Sequence, residues 1–297
     1  AMMAAAVWLT IATRYGLPVS TTHSIIGGIV GVGLVMEVQH ETSLIDWAVV
    51  EKVAMSWVAS PLMGALFAFF TFWIIREAIL ENSDPEARAR WMAPILAIPT
   101  FFVLGLALQF KALKGFFSRA DANGWIEDKY DWLPFKPTEE NPIGSWNPMM
   151  DTAWFPINSL ILAGVISIIA AVVLAYILRN YDFKGEEEGF HGVERIFVWL
   201  QVIAAAYVAF AHGANDRSNA IGPMAAVYQV LSNDGLLDSA GVADVPTWLV
   251  LLGSIGIAVG VVTWGWRVME TIGSKITDIT PTRGFAATFG AATTVLI

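Results

Sequence analysis

A chain of 297 residues that is 56% hydrophobic and 14% charged, with mean hydropathy +0.59, is too apolar for a soluble domain and fits a polytopic membrane protein. Its net charge of −9 comes mostly from acidic residues in predicted loops such as 121–151 and 186–188, and no basic stripe points to nucleic acid. The lack of cysteine excludes disulfides, thiolate metal sites and cysteine nucleophiles.

The first apolar run, residues 1–13, has neither the basic n-region nor the small-residue cleavage site of a signal peptide. A polar turn, Gly16-Leu-Pro-Val-Ser-Thr-Thr-His23, separates it from a second run, 22–36. Each run is too short to cross the roughly 30 Å hydrocarbon layer, so two arms around a polar tip predict a re-entrant hairpin over 1–36. At the tip, Ser20, Thr21 and Thr22 stand where a helix begins. Unpaired N–H groups and the positive end of the helix dipole attract an anion there, and hydroxyls either cap the helix or donate to an oxyanion. Gly27, Gly28, Gly31 and Gly33 follow on helical spacing and predict close helix packing.

Uncharged stretches long enough to span follow at 53–75 and 91–110, and later at 157–178 and 247–266. Between the second and third lies a connection, 111–156, rich in proline, glycine, tryptophan and charge, read as an ordered extracytoplasmic loop. The loops 76–90, 179–195 and 267–283 carry arginine and lysine and belong in the cytoplasm, whereas 37–52 and 232–246 have only Lys52 between them and belong outside. Trp47, Trp57, Trp91, Trp154, Trp248 and Trp266 fall near span ends, where indole suits the headgroup layer.

Residues 196–211 and 218–231 are each too short to span. They are joined by Ala211-His-Gly-Ala-Asn-Asp-Arg-Ser-Asn-Ala-Ile-Gly-Pro223, which sets amides and a carboxylate at about bilayer depth. Unpaired polar groups there cost several kcal/mol each, about 2–7 for a neutral group, so they mark a ligand or an ion path. Gly213 lets the backbone leave helical geometry, which predicts one discontinuous helix over 196–231. Asn215, Asp216 and Asn219 supply hard oxygen ligands suited to Na⁺, and Pro223 frees the carbonyl of Asn219. His23 and His212 lack a second histidine or a cysteine at metal spacing, so a zinc site is not expected. An intramembrane hydrolase using His212 and Asp216 would need a nucleophile–base pair that is not in evidence, so the chain is not read as an enzyme.

The last apolar segment, 284–297, starts from the cytoplasmic side. If it opens a second hairpin, the two hairpins enter from opposite faces, the mark of an inverted repeat. The expected organisation is then an all-α polytopic membrane protein with part of a first repeat over 1–110, the loop 111–156, and part of a second repeat over 157–297. Both ends lie inside apolar runs, so a fragment of a longer transporter is expected.

Together the motifs Pro18-Val-Ser-Thr-Thr-His23 and Gly213-Ala-Asn-Asp-Arg-Ser-Asn219 resemble the inorganic phosphate transporter (PiT/Pho4) family, whose members carry each motif twice in inverted halves. Ile276-Thr-Asp-Ile-Thr-Pro281-Thr-Arg-Gly-Phe285 is similar to the segment leading to that family's last Ser-Thr-Thr-His. The resemblance implies symport of inorganic phosphate with Na⁺ or H⁺ by alternating access, in the cell (inner) membrane and without a resident cofactor. It implies a phosphate site drawn from Ser20, Thr21, Thr22, Gly213, Ala214, Asn215, Asp216 and Asn219. Asn215, Asp216 and Asn219 would be the Na⁺ ligands. It also implies a homodimer. The partner motifs, a first Gly-Ala-Asn-Asp and a second Ser-Thr-Thr-His, are not in this chain, so about half of a site is expected here and no transport by these residues alone. Where the family has Val-Ala, this chain has Arg217-Ser218, and Arg217 pairs with Asp216, gives phosphate a fixed charge, or points away toward another helix or a water-filled path. Arg14, just before the tip, either favours anion entry or pairs with a neighbour. Two alternatives stay open: a carrier of sulfate or another oxyanion, and a phosphate sensor that does not transport.

Overall fold

The computed structural model describes residues 1–133, 156–180, 190–232, 245–276 and 279–296. These are helical nearly throughout, with no strand among the described residues. In chain order the α-helices are α1 (Met2–Arg14), α2 (Thr21–His40), α3 (Trp47–Ile75), α4 (Pro85–Ala107), α5 (Lys114–Ala122), α6 (Ile157–Asn180), α7 (Phe190–Ser232), α8 (Thr247–Glu270) and α9 (Pro281–Leu296). Short wide turns extend three of them, at Arg76–Leu80, Leu108–Ala112 and Thr271–Ile276. Among the described residues, six stretches are long and apolar enough to cross a membrane: Thr21–His40, Trp47–Leu80, Pro85–Phe110, Ile157–Asn180, Gly192–Phe210 and Thr247–Ser274. The four uncharged spans read from the sequence all fall within these. Large apolar side chains such as Ile161, Val165, Val172 and Val262 stand exposed on them, as lipid-facing positions do.

Two expectations need correction. The second hairpin arm does not stop at residue 36, because α2 runs to His40 and is 20 residues long, enough to reach across hydrocarbon. Glu37, which looked like the end of a span, folds over the helix end: its carboxylate accepts from the amides of Leu44 (2.7 Å) and Ile45 (2.8 Å). The helix closes only at Glu41, in left-handed geometry (φ 50°). The second correction concerns the discontinuous helix over 196–231. α7 is continuous for 43 residues, straight through Gly213 and with Pro223 inside it. A glycine in a helix costs only about 1 kcal/mol against alanine. Here Asn219 bonds both Asp216 and Thr22, so these side chains find partners while the backbone stays helical.

The chain forms two compact units, one of residues 1–55 and 213–279, the other of 56–212 and 280–297. Each draws on both predicted halves. In the first, α1 packs on α2 and on α8. Ile221 and Ala225 of α7 bury themselves against Leu249 of α8.

In the second unit, Ala89, Ala93 and Ala97 form a fully buried small-residue stripe on α4. They share a core with Ile75, Ile79, Val193, Phe197, Leu200 and Phe285. Phe197 and Phe285 meet edge to face at 5.5 Å. Small residues let helix axes approach, which replaces the hydrophobic drive that lipid does not supply. Gly290 of α9 takes this furthest: a Cβ there would lie 2.6 Å from the carbonyl of Gly64 and 2.8 Å from the amide of Ala68.

Of the loop expected over 111–156, the described part holds α5 and a 3-10 turn, Lys129–Asp131, with Phe117 stacked on Trp132 at 5.5 Å. Residues 134–155 lie outside the described residues.

Candidate functional site

The hairpin tip is built residue by residue. α1 ends at Arg14, and Gly16 turns the chain in left-handed geometry (φ 68°), which a side chain would strain. Space forbids one as well: a Cβ on Gly16 would sit 2.8 Å from Thr271 Oγ1 and 3.4 Å from the carbonyl of Arg267. Arg267 secures the same turn by donating from Nη1 to the carbonyl of Arg14 at 2.9 Å, where the negative end of α1 welcomes a cation. After Pro18 the chain is extended at Ser20 (φ −80°, ψ 127°), and Ser20 Oγ caps α2 by accepting from the amide of His23 at 3.3 Å.

The second motif meets this tip from 197 residues away in sequence. Asn219 of α7 donates from Nδ2 to Thr22 Oγ1 at 2.9 Å and to Asp216 Oδ1 at 3.1 Å. An ionised carboxylate only accepts, so the Asn219 group that faces it is the NH₂. Both amide hydrogens are thereby used, and the oxygen of Asn219 remains as an acceptor. Thr22 receives a hydrogen on its oxygen, which leaves its own O–H to donate. The three groups thus differ: Asn219 and Asp216 present oxygen acceptors, while Thr22 presents an O–H donor.

All three side chains are half-buried. The first amides of α2 have no partner within the helix and add donors on the Thr22 side.

Among the residues expected at the site, the structure joins Thr22, Asp216 and Asn219. The hydroxyl of Ser20 serves its own helix, and Thr21 is exposed. Gly213 is helical, with open space where its side chain would be. The side chains of Ala214 and Asn215 lie outside the described residues. Arg217 is exposed beside Asp216. Because α7 does not unwind, the second motif contributes side chains, not freed amide hydrogens.

Sequence reasoning missed Arg267 and Thr271 as the supports of the tip. From the sequence Arg267 is only one of the positive charges of a cytoplasmic loop. No spacing rule links it to a carbonyl 253 residues earlier.

A family model described as "Phosphate transporter family" matches residues 1–297. Relatives named "Putative phosphate permease" occur in Pyrococcus abyssi, 40% identical over all of this chain and 62% of the relative, and in Chlamydia trachomatis, 35% identical over 99% of this chain and 64% of the relative. A solved structure, described as "The sodium-dependent phosphate transporter", superposes with a TM-score of 0.71 at 31% identity, covering 99% of this chain and 62% of that one. The chain therefore spans a little over three fifths of the length of these relatives.

Proposed function

This chain belongs to the phosphate transporter family, and on that premise we propose that it takes part in carrying inorganic phosphate across a membrane together with a cation. The observation that carries the reading is the contact of Asn219 with both Thr22 and Asp216, which brings the two sequence motifs into one polar cluster. Thr22 and the first amides of α2 form the anion side. Asp216 and the oxygen of Asn219 form the cation side.

This layout gives a physical reason for coupling. A carboxylate beside an oxyanion repels it, and at 4 Å two like charges cost about 4 kcal/mol in a medium of effective dielectric 20. A cation held by Asp216 and Asn219 removes that repulsion, so each solute raises the affinity of the other. Na⁺ suits a site of hard oxygens, and the "sodium-dependent" description of the solved relative favours it. H⁺ is the alternative, because a protonated Asp216 would also cease to repel phosphate. Alternating access then requires that the loaded cluster face each side in turn.

Uptake of radiolabelled phosphate into vesicles containing the full-length protein, under a Na⁺ gradient or a proton gradient, tests this directly. Asp216→Asn is expected to abolish uptake while the protein still inserts and folds. Normal uptake by that variant removes Asp216 from the site. Phosphate can donate a hydrogen bond to a carboxylate and sulfate cannot, so sulfate inhibiting as strongly as phosphate would overturn the choice of substrate.

A further inference from the structure

Away from that cluster, the second unit carries an apolar groove of about 260 Å³ between α6 and α7. Leu174, Ile177 and Leu178 line it from α6, and Arg195, Ile196, Trp199 and Ile203 from α7. Leu178 and Ile196 form a buried floor, whereas Ile177, Trp199 and Ile203 are exposed walls. From Arg195 to Ile203 the groove extends along α7 for about 12 Å at 1.5 Å per residue. Among the described residues its one charged lining group, Arg195, stands at one end. That end adjoins the last turn of α6, where Arg179 follows Leu178.

We propose that this groove is a binding site for one anionic phospholipid of the cytoplasmic leaflet. The acyl chain lies along Leu174, Ile177, Trp199 and Ile203, and the headgroup phosphate meets Arg195. The setting excludes water from an apolar groove in a membrane helix pair, and a void there would forfeit dispersion contacts on one side. Hydrocarbon chain fills it. Charge then selects the headgroup. Arg179, Lys184 and Arg195 in the 179–195 connection put it on the cytoplasmic side, and because Asp182, Glu186, Glu187, Glu188 and Glu194 share that connection, the pull on an anion is local to the Arg195 guanidinium in the groove. A guanidinium there offers paired donors to phosphate oxygens and attracts a headgroup of net negative charge. Trp199, one turn deeper than Arg195, is placed to contact the upper part of the chain.

The test uses the purified protein in phosphatidylcholine nanodiscs containing a minor fraction of lipid brominated on its acyl chains. Bromine quenches indole on contact, and the signal of Trp199 is the difference from Trp199→Phe. Brominated phosphatidylglycerol is expected to reach Trp199 with about five-fold higher apparent affinity than brominated phosphatidylcholine, the factor that one basic side chain contributes at an anionic surface. Arg195→Gln should abolish this preference without abolishing quenching. Ile177→Trp, which fills the groove without altering charge, should protect Trp199 from both lipids. Equal quenching by the two lipids in the unaltered protein, or a preference that survives Arg195→Gln, overturns the anionic-lipid site. Protection of Trp199 from both lipids in the unaltered protein also overturns it, since protein, such as a second copy of this chain, would then cover the groove. Phosphate uptake is not the readout, so this proposal and the transport reading fail separately.

Discussion

Two helix starts in this molecule carry the same kind of residue and end with opposite chemistry. At α2, Ser20, Thr21 and Thr22 begin the helix, Ser20 caps it weakly, and Thr22 is left with a proton to donate. At α9, Thr280 and Thr282 begin the helix, but Glu194 of α7 closes over them. Its two oxygens accept from the Thr282 amide and hydroxyl at 2.8 Å each. Thr282 is 1% exposed. The carboxylate of Glu194 fills the place an oxyanion would take at a helix N-terminus. A hydroxyl-rich start is therefore open to a ligand only where no internal carboxylate already satisfies it.

Removing Glu194 attacks this contrast hardest. Glu194→Gln sets an amide against a buried N–H and O–H and forfeits two charge-assisted hydrogen bonds, so stability should fall by about 3 kcal/mol, read from thermal unfolding in detergent. A loss below 1 kcal/mol would mean that the α9 start is not held by Glu194.

Thr22→Val keeps the shape but removes both the O–H and the oxygen that accepts from Asn219 Nδ2. Phosphate affinity should fall at least ten-fold, the value of about 1.5 kcal/mol for a hydrogen bond to a charged group, stability should fall by about 1 kcal/mol for the unpaired Asn219 donor, and Thr22→Ser should restore both. Unchanged affinity in a binding titration would place Thr22 outside the anion site and erase the difference between the two helix starts.

The turn that aims α2 is probed by Gly16→Ala, expected to cost about 1–2 kcal/mol from the left-handed backbone and the contact with Thr271. Combining it with Thr271→Ala should recover the steric part alone, and full recovery would show that the backbone conformation carries no strain. Smallest is Ser20→Ala, the loss of an ordinary cap worth about 1 kcal/mol. A larger drop in phosphate affinity than in stability would add Ser20 to the anion site.

Much of this was legible beforehand because span length is a count of uncharged residues, and the bilayer sets that count. Asp216, Asn219 and Thr22 were visible because polar groups inside apolar runs are costly enough to need a reason. Sequence and structure part where a charged or flexible residue is expected to end an element. Glu37 falls in a loop by its charge, yet it lies within α2 and is the acceptor for the turn beyond it. Gly213, expected to break α7, lies inside it, and the helix continues through the bonded pair Asp216 and Asn219.

Local composition alone determined that the chain is a set of membrane helices with two polar motifs, since hydrophobic run length and the cost of buried polarity act on neighbouring residues. Tertiary structure decided which polar atom faces which: that Asn219 spends both amide hydrogens on Thr22 and Asp216, that Arg267 holds the carbonyl of Arg14, and that Glu194 closes α9. Hydrogen bonds require partners within about 3 Å, and partners 88 to 253 residues apart become neighbours only when helices pack.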